Sequence, residues 1–153
     1  MSAISKELKE LLMQTDLVVL PEDFVVVYLP QEIKAFSGEW FRHATTRFAV
    51  VIQEPKMVTM ILSSRKWLRM QNIFEKYDMD GPWKVISLKV KQRSVRGYRA
   101  AFDSALKDTG VRIIPVSTLK HEYILVPKAD LPRAVRLLRD FLNGLKKNKK
   151  SEK

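Results

Sequence analysis

The run Gly110-Val-Arg-Ile-Ile-Pro-Val-Ser-Thr-Leu-Lys-His-Glu-Tyr-Ile-Leu-Val126 constrains this chain more than any other. Val111, Ile113, Ile114 and Val116 are β-branched, as are Ile124 and Val126 beyond a break, and such residues suit two strands. Between them lies the polar stretch Ser117-Thr118-Leu119-Lys120-His121-Glu122. Residues 95–107 read as a helix before the pair, and residues 130–142 as a helix after it. The local order is helix, strand, polar turn, strand, helix. That is most of a βαββαβ unit, and its polar turn is where such a unit would meet a small ligand.

Upstream, Ile4, Leu8, Leu11 and Leu12 repeat at helical spacing among Lys6, Glu7, Lys9 and Glu10, which predicts an amphipathic helix over residues 2–14. Residues 23–29 form a strand bounded by Pro21 and Pro30. Residues 31–43 make a crossover around Trp40, residues 48–53 and 57–62 a hairpin turning at Pro55, and residues 65–77 a short helix. Asp80-Gly81-Pro82 reads as a break, with a strand over residues 83–90 after it. The two halves share this element order without sharing sequence. The expected domains are an N-terminal helix at 1–16, a first module at 17–80, a second at 81–145 and a basic disordered tail at 146–153.

The residues from Gly110 to Leu138 resemble the second half of an ACT module of the CASTOR-like class, a class that includes the CASTOR arginine sensors. The pattern is a helix ending in Gly-Ile/Val, an apolar strand, Ser-Thr-x-x-x-Asp, an aromatic, Ile-Leu-Val and a helix. Here it reads Gly110-Val111, Ser117-Thr118-Leu119-Lys120-His121-Glu122, Tyr123 and Ile124-Leu125-Val126. Weaker similarity reaches back through Gly81-Pro-Trp83, residues 48–62, Trp40 and Phe24-Val-Val-Val-Tyr-Leu-Pro30. The resemblance implies an α/β (α+β) fold, ferredoxin-like and of ACT type, with two modules packed in tandem. It implies a ligand cleft lined by Ser117, Thr118, Leu119 and Glu122, with the terminal acid meeting the cationic end of an amino acid. Two departures stand out: the family's Asp is Glu122 here, and a glycine common near the strand-to-helix approach is replaced by Lys91-Gln92-Arg93-Ser94.

Composition narrows the function classes. No apolar run approaches the ~20 residues of a membrane span, and the first residues carry no apolar signal-peptide core. The chain has no cysteine, which excludes disulfides and thiolate metal sites and agrees with a cytoplasmic location. Net charge is +11; residues 146–153, with five lysines and one glutamate, supply +4 of it and leave +7 on the body. A basic body points to an anionic partner without naming it. Catalysis finds little support: His43 and His121 are the only histidines, no Gly-x-Ser-x-Gly elbow occurs, and there is no glycine-rich phosphate loop. Asp78-Met79-Asp80 lacks the other ligands of a calcium loop and reads as a solvated turn. His121 and Glu122 are neighbours on one strand and point to opposite faces, so they do not act as a pair.

Residues 81–102 hold six cations (Lys84, Lys89, Lys91, Arg93, Arg96, Arg99) and no acid. Ser94 reads as an N-cap for the following helix, and Gly97 would let a ligand approach the backbone. A helix N-terminus flanked by Arg96 suits a carboxylate or phosphate. A capped, solvated face whose arginines lie over apolar surface is the equal alternative. The expected ligand-binding residues are therefore Ser94, Arg96, Gly97, Ser117, Thr118, Leu119 and Glu122, with no catalytic residue, metal or cofactor. The leading expectation is a non-enzymatic regulatory protein that senses an amino acid or similar zwitterion, with a homodimer built through helix 2–14 as one arrangement. The alternative is a basic ferredoxin-like module that binds RNA or DNA. Trp40, Trp67 and Trp83 are then either base-stacking platforms or core, and core is the commoner fate.

Overall fold

Two-residue alternation and 3.6-residue periodicity resolve into seven strands and four helices among residues 5–30, 48–90 and 97–151, which the computed structural model describes. In chain order they are α1 (Lys6–Met13), β1 (Asp16–Val19), β2 (Phe24–Leu29), β3 (Val50–Gln53), β4 (Val58–Ser63), α2 (Ser64–Met70), β5 (Asp78–Lys89), α3 (Tyr98–Leu106), β6 (Ile114–Ser117), β7 (His121–Pro127) and α4 (Leu131–Ser151). They fall into two compact units: Leu20–Lys84, and Met1–Val19 together with Val85–Lys153. The crossover expected at 31–43 lies outside the described residues.

In the unit Leu20–Lys84 the strand order is β3-β4-β2-β5, and β3–β4, β4–β2 and β2–β5 all pair antiparallel. The β3–β4 hairpin closes through Glu54 N–H to Met57 O at 2.8 Å, around the expected Pro55 turn. Ser63 caps α2, its Oγ accepting from Lys66 N at 3.2 Å. The core is built from Val25, Val27, Leu29, Val58, Met60, Leu62, Trp67 and Met70. Trp67 and Trp83 are buried, so they serve packing and not base stacking; Trp40 lies outside the described residues. The helix expected over 65–77 ends at Met70, since one 3-10 turn at Gln71–Ile73 leads into an extended Phe74.

Asp80-Gly81-Pro82 does not break the chain. β5 runs through it, because Phe24 pairs with Trp83 and Val26 with Asp80, so two steps on β2 face three on β5. The extra residue is absorbed as a bulge. A Cβ on Gly81 would stand 3.1 Å from Phe24 O and 3.2 Å from Val25 Cγ1, so the bulge needs glycine there. The two ends of this unit are clasped by Lys84, whose Nζ donates to Pro21 O (2.9 Å) and Glu22 O (3.2 Å) and pairs with Asp23 Oδ1 at 3.1 Å.

In the other unit the strand order is β1-β5-β7-β6. β1, which has no counterpart in the sequence reading, pairs antiparallel with the end of β5, from Asp16 opposite Lys89 to Val19 opposite Ile86. Helices α1, α3 and α4 bury their apolar stripes with this sheet: Leu8, Leu11 and Leu12; Tyr98, Phe102 and Leu106; Ala134, Leu138, Leu142 and Leu145, against Ile86, Leu88, Val90, Ile124 and Val126. The apolar face of α1 is consumed here, so it is not the surface on which a second copy docks. α4 does not stop at residue 142 and leave a disordered tail from Lys146; Leu142 and Leu145 continue its buried stripe and the helix runs to Ser151. Among the described residues no helix is long and apolar enough to cross a membrane.

Candidate functional site

The polar break of the sequence is the tight end of the β6–β7 hairpin. Thr118 N–H donates to His121 O at 2.9 Å, and His121 N–H donates to Thr118 Oγ1 at 3.2 Å, leaving Leu119 and Lys120 as the two-residue tip. The Thr118 hydroxyl also lies 3.4 Å from His121 O, so it serves the turn's own backbone. Leu119 is 63% exposed. The register then sets Ser117 opposite Glu122.

Alternation along β7 turns His121 to one face, where its ring stacks on Tyr123 at 5.4 Å, and Glu122 to the buried face. Glu122 is 6% exposed, and Ser117 Oγ donates to its Oε2 at 2.5 Å. Its other carboxyl oxygen takes no hydrogen bond among the described residues. Burial pushes the Glu122 carboxyl above the usual range; the Ser117 bond and the Arg99 charge oppose this, and Asp103 adds to it.

Arg99 and Asp103 stand on α3, whose start differs from expectation. The N-cap is Gly97 and not Ser94, and the helix begins at Tyr98 instead of Val95. Gly97 has φ 90°, left-handed backbone that favours glycine, and its carbonyl takes the first helical hydrogen bond from Ala101 N at 3.0 Å. A Cβ at this position would also press on Leu8 Cδ2 at 3.3 Å. The glycine therefore shapes the helix start, a role beyond admitting a ligand. Ser94 and Arg96 lie outside the described residues, as do Lys91 and Arg93. Of the remaining cations, Lys84 is committed to its clasp, Lys89 is exposed, and Arg99 Nε meets Asp103 Oδ2 at 3.7 Å. Asp103 Oδ1 is buried and has no hydrogen-bond partner among the described residues.

Tyr98, which no sequence motif marks, opens α3 with 1% exposure, and its hydroxyl lies 2.6 Å from Thr15 Oγ1. Thr15 also reaches Leu11 O at 3.2 Å. Its one hydrogen goes there, so the neutral phenol donates to Thr15. The phenol is pushed up to about 12, first by burial; a phenolate would draw on Thr15, which opposes the shift, while the carboxylates of Glu122 and Asp16 reinforce it.

The site is thus a buried carboxyl with one oxygen that takes no hydrogen bond among the described residues, in electrostatic reach of the first turns of α3. An acceptor oxygen in such a place suits an ammonium or guanidinium, whose charge would keep the carboxylate ionised. The first amides of α3, which have no partner within the helix, suit the opposite end of a zwitterion. Among the described residues no group of three acids or histidines is arranged to hold a metal.

Glu122 also predicts a pH dependence. A carboxyl whose folded value is raised binds more protons in the native than in the unfolded state. Its contribution is complete below the unfolded value near 4.5 and is lost as pH rises through the folded value. Glu122→Gln, which keeps the shape and the acceptor for Ser117, is expected to flatten the fall in stability above that range. Denaturant midpoints of both proteins from acid to neutral pH check this; parallel curves would contradict it.

No family model matches the sequence, and no curated protein matches it. Solved structures do. A Vibrio cholerae protein of unknown function, a possible transport protein, is 19% identical with a TM-score of 0.66 over 90% of this chain and 97% of that one. The regulatory subunit of aspartate kinase from Thermus flavus is 8% identical with a TM-score of 0.61, over 82% and 95%. Aspartokinase III of E. coli, in complex with aspartate and ADP, is 14% identical with a TM-score of 0.56, over 82% of this chain and 33% of that one. At these identities the likeness is one of fold, and the fold is ACT-like.

Proposed function

We propose that this chain is a non-enzymatic regulatory module that binds an amino acid or a similar small zwitterion. The observation that carries the reading is Glu122, buried beside α3, with Ser117 as its one hydrogen-bond partner among the described residues. The ligand's ammonium or guanidinium meets Glu122, and its carboxylate meets the amides that follow Gly97. Ser94 and Arg96 are proposed to flank that carboxylate, and Thr118 and Leu119 to close the rim. The shared fold with a regulatory subunit of aspartate kinase, and with an aspartokinase held in complex with aspartate, supports the class of ligand.

We further propose that each unit is a ferredoxin-like ACT module, two in tandem, of the CASTOR-like class. The order β3-β4-β2-β5 in one unit and β1-β5-β7-β6 in the other supports this, with β1 taking the edge place beside the module's first strand. A cytoplasmic location belongs to the same proposal.

A thermal-shift screen of the proteinogenic amino acids tests the reading, since a ligand of the folded state must raise Tm. At least one amino acid is expected to do so at millimolar concentration. Glu122→Gln is expected to weaken that ligand by roughly ten- to a hundredfold, the loss of a charge-assisted hydrogen bond of about 1.5–3 kcal/mol. A screen with no shift, or equal binding by the variant, would overturn it.

A further inference from the structure

We infer that the outward face of α4 is a binding surface for the phosphate backbone of a nucleic acid. The helix buries Ala134, Leu138, Leu142 and Leu145, and the 3.6-residue period turns Arg133, Arg136, Arg139, Lys146 and Lys147 outward in one stripe. All five are exposed, and none takes part in an ion pair among the described residues. The acid that shares the stripe is Asp140, also exposed. From Arg133 to Lys147 the stripe is about 21 Å long at ~1.5 Å per residue, a length of axis over which a duplex carries roughly twelve phosphates on its two strands.

Shape and chemistry select a linear polyanion. Like charges held in a row on a rigid helix repel one another, and a partner carrying regularly spaced phosphates relieves that repulsion while releasing its own counterions. Three of the five are arginines, whose planar forks match phosphate oxygens. An anionic membrane is the weaker fit. Helices that lie on lipid pair their cations with bulky apolar side chains that enter the acyl layer, and among the described side chains the exposed positions of α4 are Pro132, Arg133, Arg136, Arg139, Asp140, Asn143, Lys146 and Lys147. Its leucines are committed to the core. These contacts are to phosphates, so binding is expected to be independent of base sequence.

Fluorescence anisotropy with a mixed-sequence duplex of about 20 base pairs tests this on the full chain. Five phosphate contacts give a slope of log K against log salt of about −4.5, or roughly a 500-fold loss between about 50 and 200 mM salt. Arg133→Gln/Arg136→Gln/Arg139→Gln is expected to bring the slope to about −1.8, and Lys146→Gln/Lys147→Gln at the other end to about −2.7. These positions are exposed, so melting temperatures should hold. Lys56→Gln/Lys76→Gln/Lys107→Gln removes three exposed charges elsewhere and should leave the slope unchanged. Absence of binding at low salt overturns the inference, and so does an equal loss in the control variant. Binding to vesicles of mixed neutral and anionic phospholipid without binding to the duplex overturns it in favour of a membrane.

Discussion

Phe102→Ala is expected to lower the unfolding free energy by about 3–5 kcal/mol. The ring is fully buried in the unit that carries the site. It meets Tyr98 edge-on at 5.1 Å and 79°, and Phe141 at 6.0 Å and 74°. Truncation removes the apolar surface of a whole ring and leaves a void walled by two other rings that cannot both move in. The loss reaches the site as well, because Tyr98 is held between Phe102 and its hydrogen bond to Thr15. Urea melts followed by far-UV circular dichroism would give the number; a change below about 1 kcal/mol would show that α3 does not pack on α4 through this ring.

Leu125→Ala should cost about 2–5 kcal/mol, and Ile114→Ala distinctly less. Sequence pattern treats the two alike, since both are large aliphatic residues of adjacent strands and they stand opposite each other in the register. Sheet order separates them. β7 lies between β5 and β6, and Leu125 is 0% exposed, whereas β6 ends the strand order and Ile114 is only half-buried. At Ile114 the unfolded and folded chains differ less in exposed area, and water fills part of the space that a smaller side chain leaves. Equal losses at both positions would mean that β6 is covered on its outer side.

How far the residues themselves disclosed this architecture depends on the range of the interaction. α1, β2, the β3–β4 hairpin and β7 follow from local periodicity, and apart from the edge strand β3, where Ile52 stays 51% exposed, their apolar faces are those that the structure buries. The start of α3 does not, because a positive φ at Gly97 and a serine cap at Ser94 look alike in a string of letters. The extension of α4 was visible in Leu138, Leu142 and Leu145, but the lysine run hid it. β1 was not visible: Asp16–Val19 is four residues long and is a strand because β5 offers it an edge. At the site, a two-residue turn at Leu119 and Lys120 would have set Ser117 opposite Glu122. The Tyr98–Thr15 bond joins residues 83 apart in sequence, and no local pattern anticipates it.

The clasp at Lys84 bears on how the chain finds this structure. One unit is made of two segments with all of Leu20–Lys84 between them. Bringing the ends of so long a flexible loop together costs about 3–4 kcal/mol beyond a constant. The intervening stretch is contiguous and has its own core, and when it folds, Lys84 ties its end to Pro21, Glu22 and Asp23 at its beginning. A long loop becomes a short one, which lowers the closure cost for the segments on either side of it. Folding of the contiguous unit thereby offsets closure entropy for the two-segment unit, which carries Glu122 and α3.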